Sequence, residues 1–394
     1  MIPYGKHHID EDDIQAVVDI LRSGFLTQGP AVEIFEKAVA EYVGAKYAVA
    51  VSSGTAALHL AALAGGVGPG TSIVTSPITF VASANASRYC GGDVLFADID
   101  PETVNMSPDA LREVLLKNSN VKAIIPVHFA GLPCDMMAIK NLADDAGAIV
   151  IEDAAHALGA IYSNGKRVGC CENSLMTVFS FHPVKAISAG EGGMITTNDK
   201  ATYRKLVRLR SHGITKLDDQ FELPTEAFTG GILNPWYYEM QELGFHYRIT
   251  DIQCALALSQ LKKLDSFIAR RHELVKNYDH IFNPIKNCRP AQNKGRDQSG
   301  HHLYVLRINF DLINLTRAQF MYKMKEQEIG SQVHYIPVPA QPYYRKLGFN
   351  PNNFSNAMEY YEQALTIPLF YDLKNNEQQR VAGVICKLLE SNHE

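Results

Sequence analysis

Seven short runs of apolar residues recur through the first half of the chain, and their spacing limits the folds open to it. They are YAVAV (47–51), SIVT (72–75), DVLFAD (93–98), KAIIPVH (122–128), AIVIED (148–153), LMTVFSF (175–181) and GMITT (193–197). Nearly continuous Val and Ile runs of this length are typical of strands buried on both faces of a parallel sheet. Helical segments lie between several of them, at 55–64, 107–117 and 135–146. The alternation predicts an α/β domain with a doubly wound, mostly parallel sheet.

Further patterns lie on either side of this region. The helix predicted at 10–22 has Asp10 as its N-cap and acidic residues in its first turn. The remaining patterns are helical at 30–43, 255–282, 318–328 and 376–390, and extended at 301–310 and 331–337. The mixture after residue 300 predicts a smaller α+β domain. We expect a large domain at 1–260, including an N-terminal arm, and a small C-terminal domain at 261–394.

Composition narrows the class of protein. Hydrophobic residues make up 46% of the 394 residues and the net charge is −5. The apolar content is too high for a disordered chain, and the charge argues against a basic nucleic-acid footprint. The start, MIPYGKHHIDEDD, lacks the apolar core of a signal peptide, and no apolar run reaches the ~18–20 residues of a membrane span. We therefore expect a cytoplasmic protein without nucleic-acid or membrane partners.

The cysteines and the paired histidines carry no metal signal. The seven cysteines lack CxxC spacing, so we expect buried reduced thiols rather than a zinc site or a disulfide scaffold. The pairs His7–His8 and His301–His302 are adjacent and lack the i, i+4 spacing of helical metal ligands. We expect these four residues to be solvated at the surface and predict no metal.

A strand that ends at Val51 leads through a short Ser/Gly loop into a helix. Such a junction presents free backbone N–H groups and a positive helix end at one point, which suits a phosphate group. The residues concerned are Ser53, Gly54, Thr55 and Ala56. An ordinary capped helix with small packing residues fits the same pattern.

Two acidic residues, Glu152 and Asp153, end a later apolar strand. A buried carboxylate is costly unless it is paired, so the pattern indicates either a helix N-cap or an anionic partner for a protonated ring nitrogen. His156 follows three residues later, where it would orient that carboxylate or touch a ring hydroxyl.

A lysine and an aromatic residue complete the set. Lys185 follows the strand end Ser180–Phe181 and precedes a glycine-rich turn, where a lysine can form a Schiff base with an aldehyde or simply face solvent. Phe80 follows another strand end and fits either a core position or a stacking position on a flat cofactor. Phosphate site, stacking ring, strand-end acid and lysine together predict a pyridoxal phosphate (PLP) site.

The ordered motifs resemble those of the DegT/DnrJ/StrS sugar aminotransferases. The family's SGTAAL, ED-AAH-A and FSFHPVK-GEGG patterns stand at 53–58, 152–157 and 179–193. The resemblance runs over nearly the whole chain and implies the fold-type I aminotransferase architecture. Within the family, four stretches look most like the UDP-sugar 4-aminotransferases of pseudaminic acid biosynthesis; they are FLTQGP (25–30), FSFHPVK (179–185), NPWYYEMQELGFHYR (234–248) and QVHYIPV (332–338).

The resemblance implies a role for each matched position. Lys185 would carry PLP and then act as the proton-transfer base, Asp153 would pair with the pyridine nitrogen, and Phe80 would stack on the ring. Of the others, Thr55, Ala56 and Ser180 would hold the phosphate, and His156 would lie near the ring hydroxyl. The nucleotide-sugar contacts would be Tyr4, Gly24, Phe25, Leu26, Thr27, Gln332, Val333, His334 and Tyr335.

The resemblance also implies substrates and assembly. L-Glutamate would donate the amino group, a UDP-linked 4-keto-6-deoxy-N-acetylhexosamine would accept it at C4, and a homodimer would share its active sites. His246 departs from the Asn that relatives commonly carry and that reaches the neighbouring subunit's site, so it would replace a hydrogen bond or add pH dependence.

Alternatives remain open on the same scaffold. An aminotransferase for another nucleotide-linked keto-sugar, dTDP- or UDP-linked and reacting at C3 or C4, fits equally. Related sugar dehydratases carry His at the position of Lys185, which argues against that reaction. A regulator would need an appended helix-turn-helix module, and the GGVGPG segment at 65–70 follows a helix, unlike a dinucleotide fingerprint.

Overall fold

A computed structural model describes residues 1–217 and 221–390. The last four residues of the predicted small domain, 391–394, lie outside the described part. The first elements, in chain order, are α1 (Glu11–Arg22), α2 (Pro30–Val43), β1 (Tyr47–Val51), α3 (Gly54–Ala64), β2 (Ser72–Thr75), α4 (Ala82–Tyr89), β3 (Asp93–Phe96), α5 (Pro108–Lys117), β4 (Val121–Ile125), α6 (Met136–Asp145), β5 (Ile149–Asp153), β6 (Met176–Ser180), β7 (Gly193–Thr197) and α7 (Lys200–Arg210). They include all seven predicted strands.

These strands form one sheet in the order β1-β7-β6-β5-β4-β2-β3. Strand β7 runs antiparallel to β1 and β6, and the other neighbouring pairs are parallel. Alternate residues of β1 pack on opposite faces, Ala50 beside Phe35 of α2 and Val49 beside Leu60 of α3. Helices therefore cover both faces, which explains why the strands are continuously apolar. The predicted α/β fold with a mostly parallel sheet is confirmed.

The second half of the chain begins with short elements and ends in an α+β unit. The elements are β8 (Ile214–Thr215), α8 (Pro224–Ala227), β9 (Phe228–Thr229), β10 (Ile232–Leu233), β11 (Glu239–Met240), α9 (Asp251–Leu261), α10 (Leu264–Phe282), β12 (Cys288–Pro290), β13 (Tyr304–Ile308), α11 (Arg317–Glu326), α12 (Pro342–Lys346), α13 (Ser355–Gln363), β14 (Ala364–Ile367) and α14 (Asn375–Glu390). Strands β12, β13 and β14 form an antiparallel sheet. Its core includes Tyr278, Leu306 and Ile385. The α+β pattern is confirmed, and the boundary at 260/261 stays a prediction.

Two local predictions differ from the structure. The helical pattern at 255–282 is two helices, α9 and α10, and between them Lys263 forms an ion pair of 2.9 Å with the buried Asp13. The predicted strand at 331–337 is wrong, because Gln332 makes only an isolated bridge to Thr366. Pro337 has no N–H to extend a ladder, and the chain turns into a short 3₁₀ helix at Val338–Ala340.

Three further expectations concern cysteines, metals and membranes. All seven cysteines are free, five of them buried and two, Cys90 and Cys386, half-buried. Residues 1–217 and 221–390 hold no group of three His, Cys, Asp or Glu side chains arranged to bind a metal ion. None of the described helices has both the length and the apolar character needed to cross a bilayer.

Candidate active site

A cavity of about 620 Å³ opens at the carboxyl ends of β1, β5 and β6. Open α/β sheets bind their ligands at this edge. The predicted site residues that line it are Tyr4, Ser53, Gly54, Thr55, Phe80, Asp153, His156, Ser180, Lys185, Gln332, Val333, His334 and Tyr335. Positions more than 300 residues apart in the chain therefore meet in one space, as the resemblance implied.

The N-terminus of α3 forms one wall. Ser53 is the N-cap: its hydroxyl accepts the N–H of Ala56 at 3.1 Å, and its carbonyl accepts the N–H of Ala57 at 3.0 Å. Within the described chain, the N–H groups of Gly54 and Thr55 bond to no protein group and remain available to an anion. Ala56 does not line the cavity, because its amide is used by the cap.

Gly54 is required by a close approach between two elements. A Cβ atom on this residue would lie 2.9 Å from Cβ of Ser180, at the end of β6. The missing side chain lets the Ser180 hydroxyl stand beside the helix N-terminus. Backbone amides and a hydroxyl thus converge at one point, which is the chemistry a phosphate group needs.

The two acidic residues at the end of β5 point to opposite sides, as strand residues do. Glu152 is fully buried away from the cavity, where it accepts hydrogen bonds from His128 at 2.7 Å, Ser174 at 2.5 Å and Thr177 at 2.9 Å. Glu152 is therefore part of a buried polar network, and only Asp153 faces the cavity.

Donors from two directions hold the Asp153 carboxylate. The hydroxyl of Ser83 donates to Oδ2 at 2.6 Å, and the N–H of Ala155 donates to Oδ1 at 3.1 Å. Thr79 in turn lies 2.7 Å from the Ser83 hydroxyl. Because Ser83 gives its proton to the carboxylate, Thr79 is the donor in that contact. The chain of donors fixes the direction of the carboxylate.

Lys185 lies in the turn after β6, where its N–H bonds to the carbonyl of His182 at 2.8 Å. Burial lowers the pKa of Lys185 to about 8, although the charge of Asp153 opposes that shift. About a tenth of this amine is therefore uncharged at pH 7, far more than for an ordinary lysine, and the uncharged amine is the form that a nucleophilic or basic lysine uses. Of the described lysines and arginines, Lys185 alone lines the cavity.

The aromatic wall consists of Phe80 and Tyr335. Phe80 is 58% exposed and faces the cavity, so the core alternative for this residue is wrong. Its ring centroid lies 6.3 Å from that of Tyr335. An exposed ring at the cavity wall is available to stack on a planar ligand.

His156 does not bond to Asp153. Its Nε2 lies 3.2 Å from the Tyr335 hydroxyl, while its Nδ1 is buried and has no partner in the described chain. The ring packs against His302 with 4.3 Å between centroids. His301 and His302 are both buried, so their predicted place at the surface is wrong; backbone bonds to the loop around Gly131 draw this segment inward.

The segment from Gln332 to Tyr335 lines the cavity as irregular chain. Nδ1 of His334 lies 2.8 Å from the Thr366 hydroxyl of β14, and its ring lies 5.4 Å from that of Tyr4. The N-terminal arm is anchored beside it, because the N–H of Gly330 bonds to the carbonyl of Ile2 at 2.8 Å. The arm and this segment therefore enter the site together.

The remaining predicted residues lie outside this chain's own cavity. Gly24, Phe25, Leu26 and Thr27 are exposed, and so is His246. Thr27 pairs with Thr250 in an antiparallel bridge. The loop and the segment that carries His246 are thus joined to each other, and neither lines the cavity of its own chain.

The sequence reasoning missed Ser83, Thr79 and His302. Ser83 and Thr79 lie in the same SPITFVAS stretch as Phe80, so a search of that stretch for hydroxyl donors to Asp153 would have found both residues. His302 carried no local signal, since only the fold brings it to His156.

The four predicted parts of the site line one cavity. They are the phosphate-binding N-terminus of α3, the strand-end acid Asp153, the stacking ring of Phe80 and Lys185. The DegT/DnrJ/EryC1/StrS aminotransferase family model matches residues 7–386. The chain belongs to this family. Its members are PLP-dependent sugar aminotransferases, so the predicted family, enzyme class and cofactor are confirmed.

Several relatives cover the chain from end to end. It is 39% identical to the Bacillus subtilis spore coat polysaccharide biosynthesis protein SpsC over 99% of this chain and 97% of that one. It is 36% identical to the Campylobacter jejuni UDP-4-amino-4,6-dideoxy-N-acetyl-beta-L-altrosamine transaminase, covering 99% and 98%. Helicobacter pylori PseC, an aminotransferase involved in pseudaminic acid biosynthesis, superposes with a TM-score of 0.89 at 30% identity, covering 99% of each chain.

The cavity suits the cofactor of this family. A PLP phosphate needs the kind of amide and hydroxyl donors that Gly54, Thr55 and Ser180 supply, and Asp153 is a fixed anion for a protonated ring nitrogen. The unpartnered, buried Nδ1 of His156 is a polar atom that lacks a protein partner. These observations fit a PLP site in this chain.

Proposed function

We propose that this aminotransferase moves the amino group of L-glutamate to C4 of a UDP-linked 4-keto-6-deoxy-N-acetylhexosamine. Glutamate leaves as 2-oxoglutarate, whose keto oxygen comes from a water molecule, and in the second half-reaction the sugar's carbonyl oxygen leaves as water, so no net water is formed. The observation that carries the proposal is the partly neutral lysine, Lys185, beside a fixed carboxylate, Asp153, in one cavity. Similarity to the Campylobacter UDP-4-amino-4,6-dideoxy-N-acetyl-beta-L-altrosamine transaminase and to Helicobacter PseC supports the choice of sugar.

The residues divide the work as follows. PLP, when bound, supplies an aldehyde and an electron-withdrawing ring. Gly54, Thr55 and Ser180 would hold its phosphate, and Phe80 would stack on its ring. Lys185 carries the cofactor between turnovers and moves a proton on and off the reacting carbon, because its lowered pKa lets it both accept and release a proton near neutral pH.

Asp153 and His156 would hold polar groups of the ring. Asp153 would supply a negative charge to the ring nitrogen, because Ser83 and Ala155 hold its carboxylate in place. His156 would offer its unpartnered Nδ1 to the ring hydroxyl. The sugar and its nucleotide contact Tyr4 and the segment from Gln332 to Tyr335.

The active enzyme is a homodimer with shared sites. The two substrates bind in turn, and each carries more than one negative charge, whereas one cavity offers Lys185 as its single Lys or Arg among the described residues. The second subunit supplies what is missing. Trp236 and Leu243 are 74% and 77% exposed in the single chain, as residues of a subunit interface are. His246 and the loop from Gly24 to Thr27 then reach the partner's cavity.

The decisive experiment separates the two half-reactions. The PLP-loaded enzyme is mixed with L-glutamate alone, and 2-oxoglutarate is measured; we expect about one equivalent per subunit, and none from Lys185→Ala. Lys166→Ala, an exposed lysine outside the cavity, is the control that keeps full release. Full turnover by Lys185→Ala overturns the proposal.

The sugar is then identified with a panel of keto-sugars. We expect kcat/KM for the UDP-linked 4-keto substrate to exceed that of its dTDP-linked and 3-keto counterparts by at least ~10-fold. A second candidate is an aminotransferase for a different nucleotide-linked keto-sugar. The 39% identity to the spore coat polysaccharide protein, together with His246, favours it, and preference for another sugar in the panel would establish it.

A further inference from the structure

Two buried imidazoles stack at the inner end of the cavity. The ring centroids of His156 and His302 lie 4.3 Å apart with 39° between their planes. The side chains are 7% and 5% exposed, and both line the cavity. The proposed mechanism gives His302 no role, so its place against His156 needs an explanation.

The backbone holds His302 in place from two sides. Its N–H donates to the carbonyl of Ala130 at 2.8 Å, and its own carbonyl accepts from the buried Arg271 at 3.2 Å. Gly131 has a φ of +100°, and a Cβ there would lie 2.9 Å from the nitrogen of His301 and 3.1 Å from that of His302. The glycine lets the two loops meet, so the position of the ring is built into the fold.

The charged groups around the pair disfavour a proton on either ring. Burial, followed by the charge of Lys185 and the neighbouring His334, holds the pKa of His156 well below its usual value. Burial, then His156, Lys185, Arg271 and His334, does the same to the pKa of His302. Asp153, one of the two described acidic residues that line the cavity, accepts from Ser83 and Ala155 rather than from either imidazole.

The Tyr335 hydroxyl determines which nitrogen of His156 carries the proton. Burial raises the pKa of Tyr335, so the phenol keeps its proton. Its one acceptor among the residues that the structure describes is Nε2 of His156, at 3.2 Å. We assign the phenol as the donor in this contact, so Nε2 accepts and the single proton of the neutral ring is on Nδ1.

We propose that the stacked ring of His302 is a positioning device that keeps His156 a neutral imidazole, while the Tyr335 contact is what assigns its proton to Nδ1. His156 then presents a hydrogen-bond donor to the bound group without adding a second cation beside Lys185. This role deepens the proposed function and rests on it only for its effect on turnover. His302 acts through His156 rather than on the substrate.

The test uses the enzyme without cofactor, so that it does not depend on activity. Histidine side chains are labelled with ¹⁵N, the His156 signals are assigned by their loss in His156→Gln, and pH is varied from ~5 to ~8, the range in which an ordinary histidine titrates. We expect wild-type His156 to stay neutral, protonated on Nδ1, throughout. In His302→Ala it should take up a proton within this range.

Two variants show whether the aromatic ring is the cause. His302→Phe keeps a stacked apolar ring and should leave His156 neutral, whereas His302→Asn should behave as His302→Ala and replaces it if that variant does not fold. His272→Asn, which alters a half-buried histidine outside the cavity, is the matched control. Unchanged His156 signals in His302→Ala or His302→Asn, or titration in His302→Phe, overturn the proposal.

The loaded enzyme gives a second readout. The acid limb of 2-oxoglutarate release should move to higher pH by about one unit in His302→Ala, with a larger change in kcat than in KM. An enzyme that released no 2-oxoglutarate at any pH would disprove the proposed function and leave the NMR result standing. The two failures are therefore distinguishable.

Discussion

The hydroxyl of Ser83, in the first turn of α4, donates a 2.6 Å hydrogen bond to the Asp153 carboxylate at the end of β5. Both residues are buried. Because α4 is a helix, the backbone hydrogen bonds of the sheet do not link it to β5, and this side-chain bond joins the two elements. A helix on one side of the sheet thus sets the direction of the acid on which the cofactor depends.

Ser83→Ala should weaken PLP binding by roughly 10–150-fold, as expected for loss of a hydrogen bond to a charged group. The measurement is the Kd of PLP for the apoenzyme. Ser87→Ala is the matched control, because Ser87 is buried in the same helix and donates to the carbonyl of Asp93 instead. Equal loss of affinity in both variants would mean that α4 acts only through stability.

The reactivity of Lys185 should follow its lowered pKa. In the apoenzyme, acylation of this amine should be half-maximal near pH 8, fall about tenfold per unit below that, and level off above it. Lys166 is the control in the same sample, because its hydrogen bond to Glu172 raises its pKa and its reactivity should still rise at high pH. Mass spectrometry separates the two sites; identical pH profiles would contradict the prediction.

The network around Glu152 should matter for stability rather than chemistry. The N–H of Cys134 donates to Nδ1 of His128 at 3.2 Å, so the ring's proton is on Nε2 and is given to Glu152. His128→Leu strands a buried carboxylate and should cost about 3–5 kcal/mol, seen as a lower thermal midpoint of the apoenzyme.

The control for that prediction is the double variant His128→Leu/Glu152→Leu. Removing both polar partners should recover part of the loss, because no unpaired charge stays buried. If the double variant lost as much stability as the two single variants added together, His128 and Glu152 would not act as a pair.

Mixing inactive subunits tests the shared site. Lys185→Ala and His246→Ala homodimers should each be impaired, and equal mixing with exchange should restore about a quarter of the wild-type activity, since half the dimers then hold one intact site. Lys185→Ala mixed with Asp153→Ala is the control. Both residues line the same chain's cavity, so no recovery is expected there. If activity recovered in the control mixture but not in the first mixture, the proposed sharing of the site between subunits would be contradicted.

The sequence predicted the sheet well because its strands are buried on both faces. Continuous apolar runs such as YAVAV at 47–51 and GMITT at 193–197 coincide with β1 and β7. Apolar content says nothing about direction, so the antiparallel course of β7 had no signal. The segment at 331–337 has an extended pattern in the sequence, but its backbone forms hydrogen bonds to more than one element of the fold. A local sequence pattern cannot predict such bonds.

The site was predictable where the chemistry is local. Ser53 and Gly54 at the start of α3, Asp153 at a strand end and Lys185 in a glycine-flanked turn lie in short motifs that each allowed a structural alternative, and only the ordered set predicted the site. His302 was wrongly predicted to lie at the surface, because two adjacent histidines form a polar pattern that is typical of exposed chain. Its burial depends on Gly131 and Arg271, which are distant in sequence, and only tertiary packing brings them together.

The loop at 24–29 and the segment at 246–251 are joined at several points. Besides the Thr27–Thr250 bridge, the carbonyl of Leu26 accepts the N–H of Asp251 at 3.0 Å, and the Asp251 carboxylate accepts the N–H of Gly29 at 2.9 Å. The two pieces therefore form a single exchangeable unit. A chimera that takes only one of them from a relative would lose these hydrogen bonds. We therefore expect that sugar preference can be transferred within the family only when both pieces are grafted together.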